Sequence, residues 1–149
     1  MSEKYFTLRE AQELLPFLAP QLEQAREQKK KMDLLDEELS RASAEIMVLG
    51  GSIPPRTRLA QTRLERDQFA GLLKDSVSKI VETGCLIKDL EVGLVDFPAL
   101  LRGEEIYLCW KLGEKHIEYW HGIDEGFAGR KLIEGSMPEN EPPGDPYIH

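Results

Sequence analysis

The segment Gly50-Gly51-Ser52-Ile53-Pro54-Pro55 stands between two long helix-periodic runs and dictates how the first part of the chain can fold. Glycine makes a helix entropically costly and proline removes its amide donors, so no single helix passes through this segment. Before it, Ala11, Leu14, Leu15, Leu18, Leu22, Ala25, Met32, Leu35, Leu39, Ala42, Ile46 and Leu49 recur at mostly helical spacings. After it, Leu59, Leu64, Phe69, Leu72, Leu73, Val77, Ile80 and Val81 mark a second helix from about Arg56 to Thr83. Two long helices joined by so short a connection fold back on each other, which predicts an antiparallel helical hairpin over residues 7–83.

Local signals sharpen the ends. Thr7-Leu8-Arg9-Glu10 reads as a capping box, with Thr7 as N-cap and Glu10 reaching back to its amide. Gly84 stands where a left-handed residue ends the second helix. Pro16 and Pro20 interrupt the first run and predict a kink, or a short helix followed by a long one from roughly Phe17 to Val48. Towards the turn the hairpin is poor in large apolar residues and has little of its own chain to cover it.

Beyond Gly84 the pattern changes to that of a small, mainly antiparallel β-module, residues 85–133. The fold class is therefore α+β, with residues 1–133 as one domain. Cys85-Leu86-Ile87-Lys88 and Val92 to Phe97 read as short strands, and Pro98 to Arg102 as a connecting turn. Ile106–Leu112 and His116–His121 read as a β-hairpin around Gly113-Glu114. That register pairs Ile106 with His121, Leu108 with Tyr119 and Trp110 with Ile117. It puts those six residues on one face, and Tyr107, Cys109, Lys111, His116, Glu118 and Trp120 on the other. Residues 134–149 carry Pro138, Pro142, Pro143, Pro146 and four acids without Lys or Arg; this acidic, proline-rich tail is expected to be disordered and dispensable for folding.

The 149 residues carry a net charge of −8, which argues against diffuse attraction to nucleic acid or anionic lipid. Lys29-Lys30-Lys31 and Arg56, Arg58, Arg63 and Arg66 are offset by neighbouring acids, as on a solvated helix surface. No apolar run is long enough to span a bilayer, and the N-terminus lacks the core of a signal peptide. Cys85 and Cys109 belong to no CxxC pair and read as reduced thiols of a cytoplasmic protein.

Val95-Asp96-Phe97-Pro98, Tyr107-Leu108-Cys109-Trp110-Lys111-Leu112-Gly113-Glu114, Trp120-His121 and Gly126-Phe127-Ala128-Gly129-Arg130 form a joint pattern. By that pattern the chain resembles a family of short bacterial proteins catalogued as domain-of-unknown-function family 2203. Phe6-Thr7-Leu8 and Leu14-Leu15-Pro16 look like the family's start. It implies a soluble bacterial protein with a helical hairpin and a small β-module, and it brings no catalytic or binding assignment.

Functional residues concentrate between Glu104 and Lys131, which hold both tryptophans, two of the three histidines and a glycine-rich Arg loop. His121 is a candidate acid/base or ligand oriented by Asp96 or Asp124; on the apolar face of the proposed hairpin it reads instead as a histidine at the core edge. Gly126 to Arg130 is the best ligand candidate, a backbone nest with Arg130 as its anion fork. Trp120 or Tyr107 would be the flat wall and Asp124 a neighbour; the competing reading pairs Arg130 with Asp124 or Asp96. Cys109, His116 and Glu118 lack the spacing of a closed metal site and read as a solvated face. No metal or cofactor is expected.

Three functions remain open. The leading one is a non-enzymatic interaction or scaffold protein, a homodimer associating through Leu35, Leu39, Ile46, Phe69, Leu72 and Leu73. The alternatives are an anion- or metal-binding module around the aromatic hairpin and Arg loop, and an enzyme using His121 with Asp96 or Asp124. No nucleophile motif or cofactor fingerprint accompanies the last.

Overall fold

The computed structural model describes residues 4–48 and 56–133. Helix α1 spans Leu8–Val48 and α2 spans Arg56–Val81. The Gly/Pro connection between them and the acidic tail lie outside the described residues. Arg58 approaches Glu38, Arg66 binds Asp36 at 2.8 Å and Ser76 Oγ donates to Gln28 Oε1 at 3.0 Å. Rising numbers on one helix meet falling numbers on the other, which is the antiparallel hairpin. The capping box forms reciprocally: Thr7 N donates to Glu10 Oε1 at 2.9 Å and Glu10 N to Thr7 Oγ1 at 3.0 Å. Gly84, at φ 103°, donates its amide to Val81 O and ends α2 as the sequence predicts.

Pro16 and Pro20 do not divide α1, which runs through both. They stand four apart on its exposed side, so the lost amide donors fall on one stripe. The opposite stripe, Ala11, Leu15, Leu18, Leu22 and Ala25, is fully buried. At roughly 1.5–3 kcal/mol per large apolar side chain, that burial outweighs the two missing bonds.

The β-module is one antiparallel meander in the order β1-β2-β3-β4-β5. Its strands are Leu86–Asp89, Leu94–Leu101, Glu104–Lys111, Tyr119–Gly122 and Lys131–Leu132. Strand β2 continues through Pro98 to Leu101, where the sequence suggested a turn. The turn is the pair Arg102-Gly103, with φ 53° and 83°, the left-handed geometry of a tight hairpin. Proline is tolerated because β1 ends its pairing at Leu86↔Asp96, leaving no ladder bond for Pro98 to lose on that side. Its carbonyl accepts the amide of Phe6 at 2.7 Å.

The β3–β4 register also differs by one residue from the expected one. Ile106 pairs with Gly122, Tyr107 with His121, Leu108 with Trp120 and Cys109 with Tyr119. Residues 112–118 form a loop in place of a tight hairpin. Glu114 organises it: its carbonyl accepts Trp110 Nε1 at 2.9 Å, its Oε1 accepts Lys111 N, and its amide donates to Lys111 O. Ile117 turns inward to the core, with its amide near Gln12 Oε1.

One face of the sheet presents Val95, Phe97, Ala99, Ile106, Leu108 and Trp110 to the helices. Phe6, Leu8, Leu15, Leu18, Leu22 and Ile80 complete that core, and Phe6 meets Phe97 edge to face at 5.4 Å. By strand alternation the opposite face carries Asp96, Cys109, Tyr107, Tyr119 and His121.

Candidate functional site

The one-residue slip decides the chemistry, because it moves His121 off the helix-facing side and sets it beside Tyr107. The expected pairing of His121 with Ile106 on the apolar core face does not occur. The ring centroids of His121 and Tyr107 are 5.6 Å apart. His121 Nδ1 lies 2.8 Å from Gly122 O, and Nε2 lies 3.0 Å from Asp96 Oδ2. Both side chains are out of solvent, at 3% and 1% exposure. Asp96 is thus the carboxylate that orients His121; Asp124 is exposed and takes no part in the pair.

Cys109, directly opposite Asp96 across the β2–β3 ladder, joins them. One ligand-type atom from each of Asp96, Cys109 and His121 lies within 4.8 Å of the others. Burial, reinforced by the charge of Asp96 and opposed by Arg130, pushes the Cys109 thiol up to about 12. The trio Cys109, His116 and Glu118 does not assemble, since His116 and Glu118 are exposed on or beside the loop while Cys109 is buried.

Arg130 is committed within the fold. Its Nη2 donates to Glu114 Oε1 and Oε2 at 2.8 and 3.0 Å and approaches Cys109 O at 3.4 Å. Its guanidinium lies 4.0 Å from the Tyr119 ring centroid and 4.6 Å from that of Phe127. The partner is therefore Glu114, in place of the expected Asp124 or Asp96. Burial lowers the Arg130 pKa, but Glu114 and Cys109 outweigh it and raise the group overall. The glycine-rich loop closes on itself as a 3-10 turn, Phe127–Gly129, in which Gly129 N bonds Gly126 O and Arg130 N bonds Phe127 O. Glu125 accepts Gly122 N at 2.8 Å and Lys131 Nζ at 2.6 Å. Lys131 and that amide hold its carboxyl below the usual range.

Of the predicted binding residues, then, His121, Tyr107 and Arg130 gather on one side of the sheet. Trp120 lies on the helix-facing side, packed on the core with Lys131 over its ring at 4.7 Å. Cavities lie elsewhere. A groove of about 530 Å³ runs between α1 and the β3–β4 loop, lined by Leu8, Leu15, Pro16, Trp110, Lys115 and His116; another of about 580 Å³ lies along Glu23, Arg26, Lys30 and Leu90. Neither is lined by Asp96, Cys109 or His121.

Arg130→Gln tests the structural role directly. It removes a charge-assisted contact from one guanidinium nitrogen to both oxygens of a half-buried carboxylate, and a loss of about 1–3 kcal/mol is expected in urea unfolding of the ligand-free protein. Unchanged stability together with a lost phosphate- or sulfate-dependent thermal shift would restore Arg130 as an anion ligand.

The family described as "Uncharacterized conserved protein (DUF2203)" matches residues 4–133. No curated protein and no solved structure matches the chain.

Proposed function

We propose that this chain, which belongs to the DUF2203 family across residues 4–133, is a non-enzymatic, self-associating interaction protein whose helical hairpin docks on a second copy. The observation that carries the reading is the state of the hairpin away from the sheet. From Arg26 of α1 onward and before Ser76 of α2, no apolar side chain among the described residues is fully buried. Met32, Leu35, Leu39, Leu59, Phe69 and Leu73 are only half covered, and Leu34, Leu64 and Leu72 are exposed. Two helices cover each other along one line; further helices are needed to close a core around it.

A second copy fits the electrostatics. Lys29, Arg58 and Arg66 pair with Asp33, Glu38 and Asp36 within the protomer, so these pairs add no excess of one sign that would repel a second copy. No helix among the described residues is long and apolar enough to cross a membrane.

Leu72→Glu is the informative variant. Leu72 is 48% exposed, so a carboxylate there spares the protomer while placing a charge in the interface. The dimer dissociation constant is expected to rise about 10- to 100-fold in sedimentation equilibrium. A charge at Leu39 is a poorer probe than the sequence implied, because Leu39 lies half-buried in the seam between the protomer's own helices. The side chain of Ile46 lies outside the described residues. A wild-type chain that sediments as a monomer across the accessible concentration range would overturn the proposal.

A further inference from the structure

The structure assigns a second capacity, independent of self-association: Asp96, Cys109 and His121 form a buried binding site for a divalent transition-metal ion of the zinc type. The argument starts from one hydrogen atom. The carbonyl of Gly122 can only accept, so His121 Nδ1, 2.8 Å away, must carry a proton. In a neutral imidazole that leaves Nε2 with a bare lone pair, facing Asp96 Oδ2 at 3.0 Å. Two acceptors then confront each other in a site closed to water. Something positive belongs between them.

A second ring proton would satisfy Oδ2 and nothing else. Asp96 Oδ1 is buried with nothing stronger than the weak thiol donor of Cys109 beside it, an arrangement that carries a desolvation cost unless a ligand uses the atom. Cys109 is also drawn into the group, its ligand atom within 4.8 Å of those of Asp96 and His121. A metal ion accounts for all three side chains at once. A backbone carbonyl holding Nδ1–H is the usual way a protein aims Nε2 at a metal. One sulfur, one imidazole nitrogen and one carboxylate form a borderline-soft donor set, which selects zinc-like ions over magnesium or calcium.

Charge and geometry agree. Binding releases the Cys109 thiol proton to solvent, and the Nε2 proton too if the ring carries one. The divalent ion, one thiolate and one carboxylate then sum to zero, the least costly total for a buried site. Arg130 stands nearby, but its charge is already matched by Glu114. Ligand atoms sharing a tetrahedral zinc stand about 3.3–3.7 Å apart, so the 3.0 Å contact must open slightly and the span of up to 4.8 Å across the trio must close by about an ångström, both within reach of side-chain rotations. Three protein ligands leave a fourth position for water or another small donor.

The test uses the full chain produced in cobalt-supplemented medium and dialysed against metal-free buffer. The expected result is one cobalt retained per chain, with the near-ultraviolet absorption of a thiolate–cobalt bond. That band should persist in Cys85→Ser and vanish in Cys109→Ser, with retained metal falling to near zero. Because Cys109→Ser alters a buried position, circular dichroism of the same samples checks that the comparison is between folded proteins. Wild-type protein that is folded yet retains neither cobalt nor zinc and shows no such band would overturn the site, leaving a buried imidazolium–carboxylate pair. A band that survives Cys109→Ser would equally overturn it. Neither result depends on whether the chain dimerises.

Discussion

Asp96→Ala is expected to cost the fold about 3–5 kcal/mol, because the carboxylate holds the buried cluster together with His121 and Cys109, whether a proton or a metal ion joins it to the ring, and its loss strands both. Chains of this size hold only about 5–15 kcal/mol in total, so the variant should lower the urea midpoint by roughly a fifth of its value or more. Replacing both members of the Asp96–His121 pair with leucine should recover much of the loss, since an apolar pair of suitable volume leaves no stranded charge. A loss below about 1 kcal/mol in Asp96→Ala would mean that the pair is solvated, and would count against the observed β3–β4 register.

Phe97→Ala is the second large effect, again about 3–5 kcal/mol. Phe97 is fully buried at the centre of the helix-facing side of the sheet, and its ring meets Phe6 at 82°. Truncating it opens a cavity that the sheet cannot collapse to fill, and it frees the residues that lead into α1. Leu132→Ala serves as the comparison: Leu132 is mostly exposed on the short last strand and should change stability by about 0.5 kcal/mol or less. Equal effects from the two would refute the assignment of the core.

The helices were the legible part of the chain. Apolar spacing, the Thr7–Glu10 box and Gly84 are local signals, and each one acts within a turn of where it is read. The prolines do not end α1, because their effect depends on which side of the helix is buried, a tertiary fact. The sheet was half legible. Alternation identified the strands, but register depends on the connections. Pro98 looked like a break, although the ladder has no use for its amide; Arg102-Gly103 lacks the usual Asn-Gly or Asp-Gly signature of a tight turn. Had that pair been taken as the turn, Asp96 would have fallen opposite Cys109 on paper. Gly113 drew the other hairpin too tight, because nothing nearby announced that Ile117 leaves the strand to fill the core. His121 was singled out by composition, and its partner Asp96 was among those considered. Cys109 was grouped with His116 and Glu118 by the wrong register, and Glu114 as the partner of Arg130 had no signal in the linear order.

The amide of Phe6 resting on the carbonyl of Pro98 has a consequence for synthesis. On a ribosome the helical hairpin emerges first, and its local contacts can form within microseconds. The stripe of Leu15, Leu18 and Leu22 nevertheless has no sheet to meet until β2 and β3 have followed. Docking Phe6 on the centre of the meander joins segments far apart in the chain, a non-local closure that is slower than the local contacts of the hairpin. Until it happens, the nascent chain displays an apolar ridge to everything around it.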